Sequence, residues 1–258
     1  MNAPAVRELH TMKDFDTVAL LYAGIWGTEP RNTPLSAEIM RALAHAGNYV
    51  AGAYEEDRLV GASVGFFGAP VGTCLHSHIT GAVMGRGVGL ALKLHQRQWA
   101  LARGLRRITW TYDPLIRRNA YFNLVKLGAR PEEYLPAFYG AMDDAINGGD
   151  ESDRVLTAWD LTAAAPPRPP EPRALPAGAV HGLRDQDGRP VTGTTDAETV
   201  LIDLPDDIEA LRRTDPAAAQ AWRLALRHTL GGLLAEGARV TGFHERRRYV
   251  VQRTAPLA

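Results

Sequence analysis

The alternation of apolar and polar residues divides the first 162 residues into strands and helices. Apolar side chains recur at helical spacing from Phe15 to Trp26, and Ser36 is the predicted N-cap of a second helix. The predicted strands are Val6–His10, Tyr49–Tyr54, Leu59–Phe67, Cys74–Val83, Arg107–Tyr112, Tyr134–Tyr139 and Arg154–Leu161, and the predicted helices are 14–26, Ala37–Ala46, Gly85–Arg103 and Asn119–Leu127. Their order, βααβββαβαββ, predicts an α/β fold with a mixed, mostly antiparallel sheet flanked by helices.

A proline-rich segment, AAAPPRPPEPRALPA, follows at residues 163–177 and favours an extended, semi-rigid linker. Beyond it the pattern predicts a strand at Thr199–Leu204, a helical region from Asp206 to Glu236 interrupted by Pro216, and a closing hairpin at Arg239–Phe243 and Tyr249–Val251. The sequence therefore predicts a domain at 1–162, a linker at 163–177 and a small α+β module at 178–258.

Composition and charge narrow the class of protein. The chain is 45% hydrophobic and 22% charged, with a formal net charge of zero, so no net field attracts nucleic acid or an anionic membrane. Arg246–Arg247–Arg248 is expected to be a salt-bridged strand end, and the single cysteine, Cys74, a buried thiol. No stretch reaches the roughly 18 apolar residues of a membrane span, and no signal-peptide pattern is present. A cytoplasmic protein without a membrane or nucleic-acid partner is predicted.

Three alternating glycines, Gly85, Gly87 and Gly89, follow the strand Cys74–Val83 and open a predicted helix. Because glycine has no side chain, an anion can approach the N–H groups of the first helical turn, and Arg86 adds a positive charge. The spacing matches neither the dinucleotide fingerprint nor a P-loop. The pattern predicts a phosphate or pyrophosphate site formed by Val83, Met84, Gly85, Arg86, Gly87, Val88, Gly89, Leu90 and Ala91.

This loop resembles the hallmark of the GNAT superfamily of N-acyltransferases, [RQ]-x-x-G-x-[GA], in which backbone amides hold the pyrophosphate of coenzyme A. Gly87-Val88-Gly89-Leu90-Ala91-Leu92 matches its second half, which places Met84 where the family has Arg or Gln; a register beginning at Arg86 also satisfies the hallmark. A second family signal, a strand followed by a helix ending in K-x-G-[FA], resembles Ile108–Tyr112 and Asn119–Ala129. Strand order and both motifs agree over residues 5–162.

The resemblance implies acetyl-CoA or another acyl-CoA, such as succinyl-CoA, as cofactor, and a small-molecule amine such as an amino acid as acceptor. It also implies a homodimer, because superfamily members commonly pair. Asn119 and Asn123 either face the coenzyme or serve as helix cap and solvated polar residue. More narrowly, the stretch from His76 to Ala129 with an appended module is similar to a bacterial subgroup associated with N-succinylamino-acid racemase pathways, which implies succinylation of an amine.

Acyl transfer to an amine needs a base for the ammonium proton and an acid for the leaving thiolate. The tyrosine that serves as acid in the family falls at Leu124 here; Tyr121, one turn earlier, is either its substitute or a packed aromatic. The base candidates, each with a structural alternative, are Glu29, His78 and Asp113.

Each base candidate has a place in the predicted fold. Glu29 lies in the loop expected to cover the acceptor site, His78 lies mid-strand beside the glycines, and Asp113 ends the fifth strand. His76 shares a strand face with His78, but no third ligand accompanies the pair, and no metal site is predicted. Two other functions stay open: a non-catalytic acyl-CoA-binding or regulatory protein, and a protein N-acetyltransferase.

Overall fold

The computed structural model describes residues 4–28, 34–140, 150–162 and 175–253, which form two compact units. The first unit comprises Met1–Trp110 with Asp160–Thr162, and the second comprises Thr111–Trp159 with Ala163–Ala258. The predicted boundary lay in the proline-rich segment, whereas the units divide inside the fifth strand. Residues 163–174 of the predicted linker lie outside the described residues.

The first unit is a sheet flanked by three helices. Its elements are β1 (Ala5–Glu8), α1 (Met12–Trp26), α2 (Ala37–His45), β2 (Tyr49–Glu55), β3 (Arg58–Gly68), β4 (Cys74–Ala82), α3 (Val88–Ala102) and the beginning of β5 (Arg107–Tyr112). The strands follow one another in the order β1-β2-β3-β4-β5. Neighbours are antiparallel except β4 and β5, which are parallel. The predicted β2–β3 hairpin is confirmed.

Local chemistry explains where the helices of the first unit begin and end. Thr11 caps α1 in a capping box with Asp14, whereas the prediction named Asp14 or Asp16 as the cap. The side chain of Ser36 accepts a hydrogen bond from the Ile39 N–H at the start of α2, as predicted. Gly104, two residues after α3, has φ +74°, a conformation that favours glycine and ends the helix.

The second unit combines the rest of the predicted first domain with the C-terminal residues. Its elements are α4 (Arg117–Tyr121) continued by a π-helical turn (Phe122–Lys126), β6 (Arg130–Leu135), β7 (Arg154–Asp160), β8 (Val180–Gln186), β9 (Arg189–Thr192), β10 (Thr199–Asp203), α5 (Ile208–Thr214), α6 (Pro216–Leu226) continued by a π-helical turn (Arg227–Gly231), α7 (Gly232–Ala235), β11 (Arg239–His244) and β12 (Arg248–Gln252). Strands β6 and β7 are antiparallel, and a five-stranded sheet has the order β11-β12-β10-β8-β9.

One hydrophobic core joins the two stretches of sequence in the second unit. Leu115, Leu124 and Val155 pack in the same cluster as Trp222 and Tyr249, all of them buried. The C-terminal residues therefore share their core with residues 111–159, which is why the units do not divide at the proline-rich segment.

The basic triplet is a strand end, as predicted. Arg247 and Arg248 lie 3.6 Å and 2.9 Å from carboxylate oxygens of the buried Asp203. The mixed α/β fold with antiparallel sheets and flanking helices is confirmed. Within the described part of the chain, no helix is both long and apolar enough to cross a membrane.

Candidate functional site

Residues 83–87 form an open loop between β4 and α3. Gly85 and Gly87 have φ values of +86° and +73°, in the left-handed region that favours glycine. A Cβ added at Gly85, Gly87 or Gly89 would meet no atom within 4 Å, so space is open around all three. Gly87 is the N-cap of α3, and no side chain caps the helix. The first-turn N–H groups are therefore available to an anion, and the helix dipole favours negative charge there.

The side chains around this loop contribute little positive charge. Arg86 forms an ion pair with Glu55, whose Oε2 also lies 3.4 Å from a guanidinium nitrogen of Arg58. The side chain of Met84 is uncharged and 78% exposed. Val83 is also exposed, while Leu90 and Ala91 are half-buried. The residues present suit a pyrophosphate mainly through backbone donors and open space, which is how the coenzyme A diphosphate would be held.

Pairing between β4 and β5 is short. The two strands pair only at Cys74–Arg107, Leu75–Ile108 and His76–Thr109, although β4 continues to Ala82. Pairing ends after His76 and Thr109, and the next residues are Ser77 in β4 and Trp110 in β5. We call this point the β4–β5 fork. The glycine loop and α3 form the connection from β4 to β5, so the fork lies between the two strands that they join.

A bulge in β4 lies at the same place. The register with β3 passes from Ile79 opposite Val64 to Ser77 opposite Gly65 and skips His78. A bulge re-aims side chains next to functional sites. Here it brings Ser77 and Thr80 to the same face of the strand.

Two histidines of β4 contact the same aromatic ring. The ring centroids of His76 and His78 lie 5.2 Å and 5.7 Å from that of Phe66, so the two imidazoles share a face, as predicted. Nδ1 of His76 lies 3.2 Å from the Thr109 hydroxyl. Burial lowers the pKa of both histidines below the ordinary value, and the charge of Lys93 contributes at His76. Both rings are therefore neutral at pH 7 and able to accept a proton.

Asp113 lies in the second unit in a buried ion-pair cluster. Its carboxylate accepts hydrogen bonds from Arg223 at 3.0 and 3.1 Å and also binds Arg212, while Asp150 accepts from the same two guanidinium groups. Burial alone would raise the pKa of Asp113, but the charge and hydrogen bonds of Arg223, with the charge of Arg212, hold it well below its ordinary range. A carboxylate so weakly basic is a poor proton acceptor, and the geometry is that of a structural anion.

Leu124 and Tyr121 both belong to the second unit. Leu124, at the position of the family tyrosine, is buried in the hydrophobic core. The guanidinium carbon of Arg246 lies 4.3 Å from the centroid of the Tyr121 ring. Nη2 of Arg246 donates a hydrogen bond to the Tyr121 hydroxyl at 3.4 Å. These contacts favour the packed aromatic of the two readings of Tyr121.

The remaining predicted residues are spread over the chain. Asn119 is half-buried in α4, which begins at Arg117 with Ile116 as its cap, so Asn119 does not cap the helix. Asn123 is buried in the π-helical turn that follows. Glu29 lies outside the described residues.

A buried polar cluster beside the fork was not predicted. Lys93 donates to the Ser77 hydroxyl at 2.9 Å and to Gln96 Oε1 at 3.3 Å, and Gln96 in turn donates to the Ser63 hydroxyl. Lys93 and Gln96 are 5% and 0% exposed. A signal was present: both residues lie within the buried stripe of α3 marked by Leu92 and Ala100, where apolar residues are the norm.

Comparisons with known proteins address the fold. No protein-family model and no curated protein matches the chain. The protein yncA from Salmonella typhimurium, assigned as an acetyltransferase and solved with its cofactor acetyl-CoA, matches with a TM-score of 0.51 and 14% identity over 64% of this chain and 98% of that one. A GNAT-family acetyltransferase from Streptococcus pneumoniae matches with a TM-score of 0.48 and 18% identity, over 60% of this chain and 97% of that one. The aminoglycoside 6'-N-acetyltransferase from Enterococcus faecium matches with a TM-score of 0.45 and 18% identity, over 64% of this chain and 99% of that one.

The chain thus has a mixed α/β fold similar to that of yncA, which is named as an acetyltransferase. The match with yncA carries this statement, and at 14% identity it concerns the fold alone. The mixed α/β fold predicted from the sequence is confirmed, and membership of the GNAT superfamily stays a prediction. The narrower likeness to a succinylating bacterial subgroup stays a prediction.

Proposed function

We propose that this chain is an acyl-CoA-dependent N-acyltransferase that moves an acetyl or succinyl group to the amine of a small molecule such as an amino acid. The observation that carries the proposal is the uncapped N-terminus of α3, with open space at Gly85, Gly87 and Gly89. This N-terminus belongs to the connection that joins the two strands of the β4–β5 fork. A neighbour of this fold, yncA, was solved with acetyl-CoA.

The chain's own residues have separable tasks in the proposed reaction. The N–H groups of Val88, Gly89 and Leu90 bind the pyrophosphate, which positions the coenzyme along α3. A bound acyl-CoA supplies the thioester, whose acyl carbon is the electrophile. His78, neutral and placed at the bulge of β4, accepts the proton that the attacking amine loses.

Replacing His78 with glutamine is expected to lower kcat/KM by about 10²–10⁴-fold, the usual contribution of a general base. Because burial lowers the pKa of His78 below its ordinary value, the acidic limb of the wild-type pH profile should lie below pH 6.5. That limb should disappear in the variant, and steady-state rates measured across pH test this.

His95 provides the matched control for that substitution. It is a half-buried histidine of α3 whose pKa is also lowered by burial, but its Nδ1 is engaged by the Tyr49 hydroxyl at 3.0 Å. His95→Gln should keep the acidic limb. A His78→Gln enzyme with a wild-type rate and pH profile would remove His78 from the reaction.

The experiment that tests the function is release of coenzyme A from acetyl-CoA and succinyl-CoA in the presence of a panel of primary amines and amino acids. Amine-dependent thiol release, with the acylated amine identified by mass spectrometry, is the expected result. Binding of the coenzyme without turnover of any amine would favour the non-catalytic acyl-CoA-binding protein. Turnover of peptide N-termini alone would favour a protein N-acetyltransferase. The proposal includes a homodimer, which light scattering of the purified protein tests.

A further inference from the structure

The amine of Lys93 lies at the β4–β5 fork and contacts both strands. It donates to the hydroxyl of Ser77, the first residue of β4 beyond the last β4–β5 pair. Its Nζ also lies 3.8 Å from the centroid of Trp110, the corresponding residue of β5. A single side chain from α3 therefore reaches both residues at which pairing ends.

Lys93 is a buried amine and is only 5% exposed. Within the described part of the chain its hydrogen bonds and ring contact are with Ser77, Gln96 and Trp110, none of which is a carboxylate. Its neighbours are two neutral hydrogen-bond acceptors and one aromatic face, which stabilise an ammonium less than a carboxylate does. Burial lowers the pKa of Lys93 from 10.5 to about 7, so the amine holds and releases a proton near neutral pH.

The proposed reaction still lacks a group that protonates the leaving sulfur. The family position for this acid is Leu124, which is apolar and buried in the core of the second unit. The acid candidate from the sequence, Tyr121, is engaged by Arg246. Leu124 has no acidic proton, and Tyr121 packs against Arg246 within the second unit.

We propose that Lys93 is the proton donor to the coenzyme A sulfur, acting from the apex of the β4–β5 fork. This inference rests on the proposed function. The bond between the amine nitrogen and the acyl carbon forms, and the carbon–sulfur bond breaks. The proton lost by the amine goes to His78, and an Nζ proton of Lys93 goes to the departing sulfur. Exchange with water then restores the imidazole and the ammonium.

The surroundings of Lys93 suit this role. Of the elements packed against it, β4 supplies Ser77 and the titratable His76, β5 supplies Trp110, and α3 supplies Gln96. His76 is neutral at pH 7, so the positive charge at the β4–β5 fork comes from the protonated form of Lys93. An ammonium close to a sulfur stabilises the thiolate that forms there, and the effect is strong in a desolvated site.

The inference has a readout that needs no turnover, namely the ionisation of the thiol in bound free coenzyme A. Thiolate absorbance in the ultraviolet is followed across pH, with desulfo-coenzyme A, which lacks the sulfur, as the blank. A thiol has an ordinary pKa of about 8.5, and a nearby opposite charge lowers such a value by about 1–3 units. Lys93 and the thiol should titrate as a coupled pair in the wild-type complex, so we expect thiolate to begin to form at a lower pH than in free coenzyme A. In Lys93→Met the thiol should titrate like that of free coenzyme A.

Lys13→Met is the matched control, because it makes the same change on the exposed face of α1 in the same unit. It should leave the thiol shift in place. An unshifted thiol in the wild-type complex, or a shift that persists in Lys93→Met, would overturn the inference while leaving the acyltransferase function standing. Failure of the wild type to bind both coenzyme A and desulfo-coenzyme A would overturn both.

The ionisation of Lys93 also has a signature in stability. Its folded-state pKa of about 7 lies below the ordinary 10.5, so the unfolded chain binds the extra proton between these values. The free energy of unfolding contributed by this group therefore rises with pH over that window. Chemical denaturation from pH 7 to pH 10 should show a steeper rise in the wild type than in Lys93→Met. Equal slopes would contradict a buried, titrating amine, and with it the proton donor.

Discussion

Asp113→Ala is expected to lower the free energy of unfolding by about 3–5 kcal/mol, the usual cost of removing one partner from a buried ion pair. The side chains of Arg212 and Arg223 are 2% and 1% exposed, and both donate to this carboxylate. Without Asp113 the two guanidinium groups keep only Asp150 as a shared partner within the cluster described above. Urea unfolding of the purified variant measures the loss.

Glu236→Ala is the control for charge removal at the surface of the same unit. Its side chain is 58% exposed and that of its partner Arg253 is 37% exposed, and such pairs contribute at most about 1 kcal/mol. An Asp113→Ala protein within about 1 kcal/mol of the wild type would contradict a structural role. Because the pKa of Asp113 is held below its ordinary 3.8, its contribution is present above that pH and is lost as the pH falls further. The acid sensitivity of the variant should therefore be weaker.

Gly89→Leu is expected to weaken the binding of acetyl-CoA by at least about tenfold, which corresponds to about 1.4 kcal/mol. Gly89 lies in the first turn of α3, and a Cβ there meets no atom within 4 Å. A side chain there starts in open space, and leucine would occupy the space through which a pyrophosphate reaches the backbone N–H groups. Leucine is also the better helix former by about 0.5–1 kcal/mol, so stability should not fall. Titration calorimetry with acetyl-CoA measures the affinity.

Gly24→Leu is the matched control, because it makes the same substitution in a helix outside the candidate coenzyme site. Gly24 lies in α1, also in a helix and also with open space around a built Cβ. Both variants should be at least as stable as the wild type, and only Gly89→Leu should lose affinity. If Gly89→Leu binds acetyl-CoA like the wild type, the N-terminus of α3 does not hold the coenzyme.

Elements with local signals were predicted closely from the sequence. The strand Arg107–Tyr112 has the predicted bounds, and Ser36 caps α2 as expected. Pro216 stands at the first position of α6, where its missing N–H costs nothing. These features depend on residues within a few positions of one another, so a single sequence is enough to find them.

The strands that were missed or shifted had weaker signals. Strands β8 and β9 form a hairpin whose turn residues Asp187 and Gly188 have φ values of +51° and +80°. Asp-Gly is a strong turn signal, although neither strand was predicted. Strand β6 runs from Arg130 to Leu135, whereas the predicted strand was Tyr134–Tyr139. It is an edge strand, where Pro131 is tolerated.

The site was predicted only in part, for a physical reason. The glycine loop is continuous in sequence, whereas the partners of Asp113 lie about a hundred residues away in α5 and α6. No local pattern shows that two arginines will converge on one carboxylate. Lys93 could have been noticed as a charged residue on an apolar helix face, but its place at the fork depends on how β4 and β5 pair.

Thermal unfolding of the wild-type protein with acetyl-CoA, succinyl-CoA and free coenzyme A, compared with Gly89→Leu, tests the central claim most directly. A ligand that binds only the folded state at a hundredfold excess over its Kd adds about 2.7 kcal/mol to stability. For a chain of this size that corresponds to a rise in Tm of roughly 5–10 °C. The account predicts such a rise with at least one acyl-CoA, and its loss in Gly89→Leu. No rise with any of the three would contradict an acyl-CoA site at the start of α3, and with it the proposed acyltransferase.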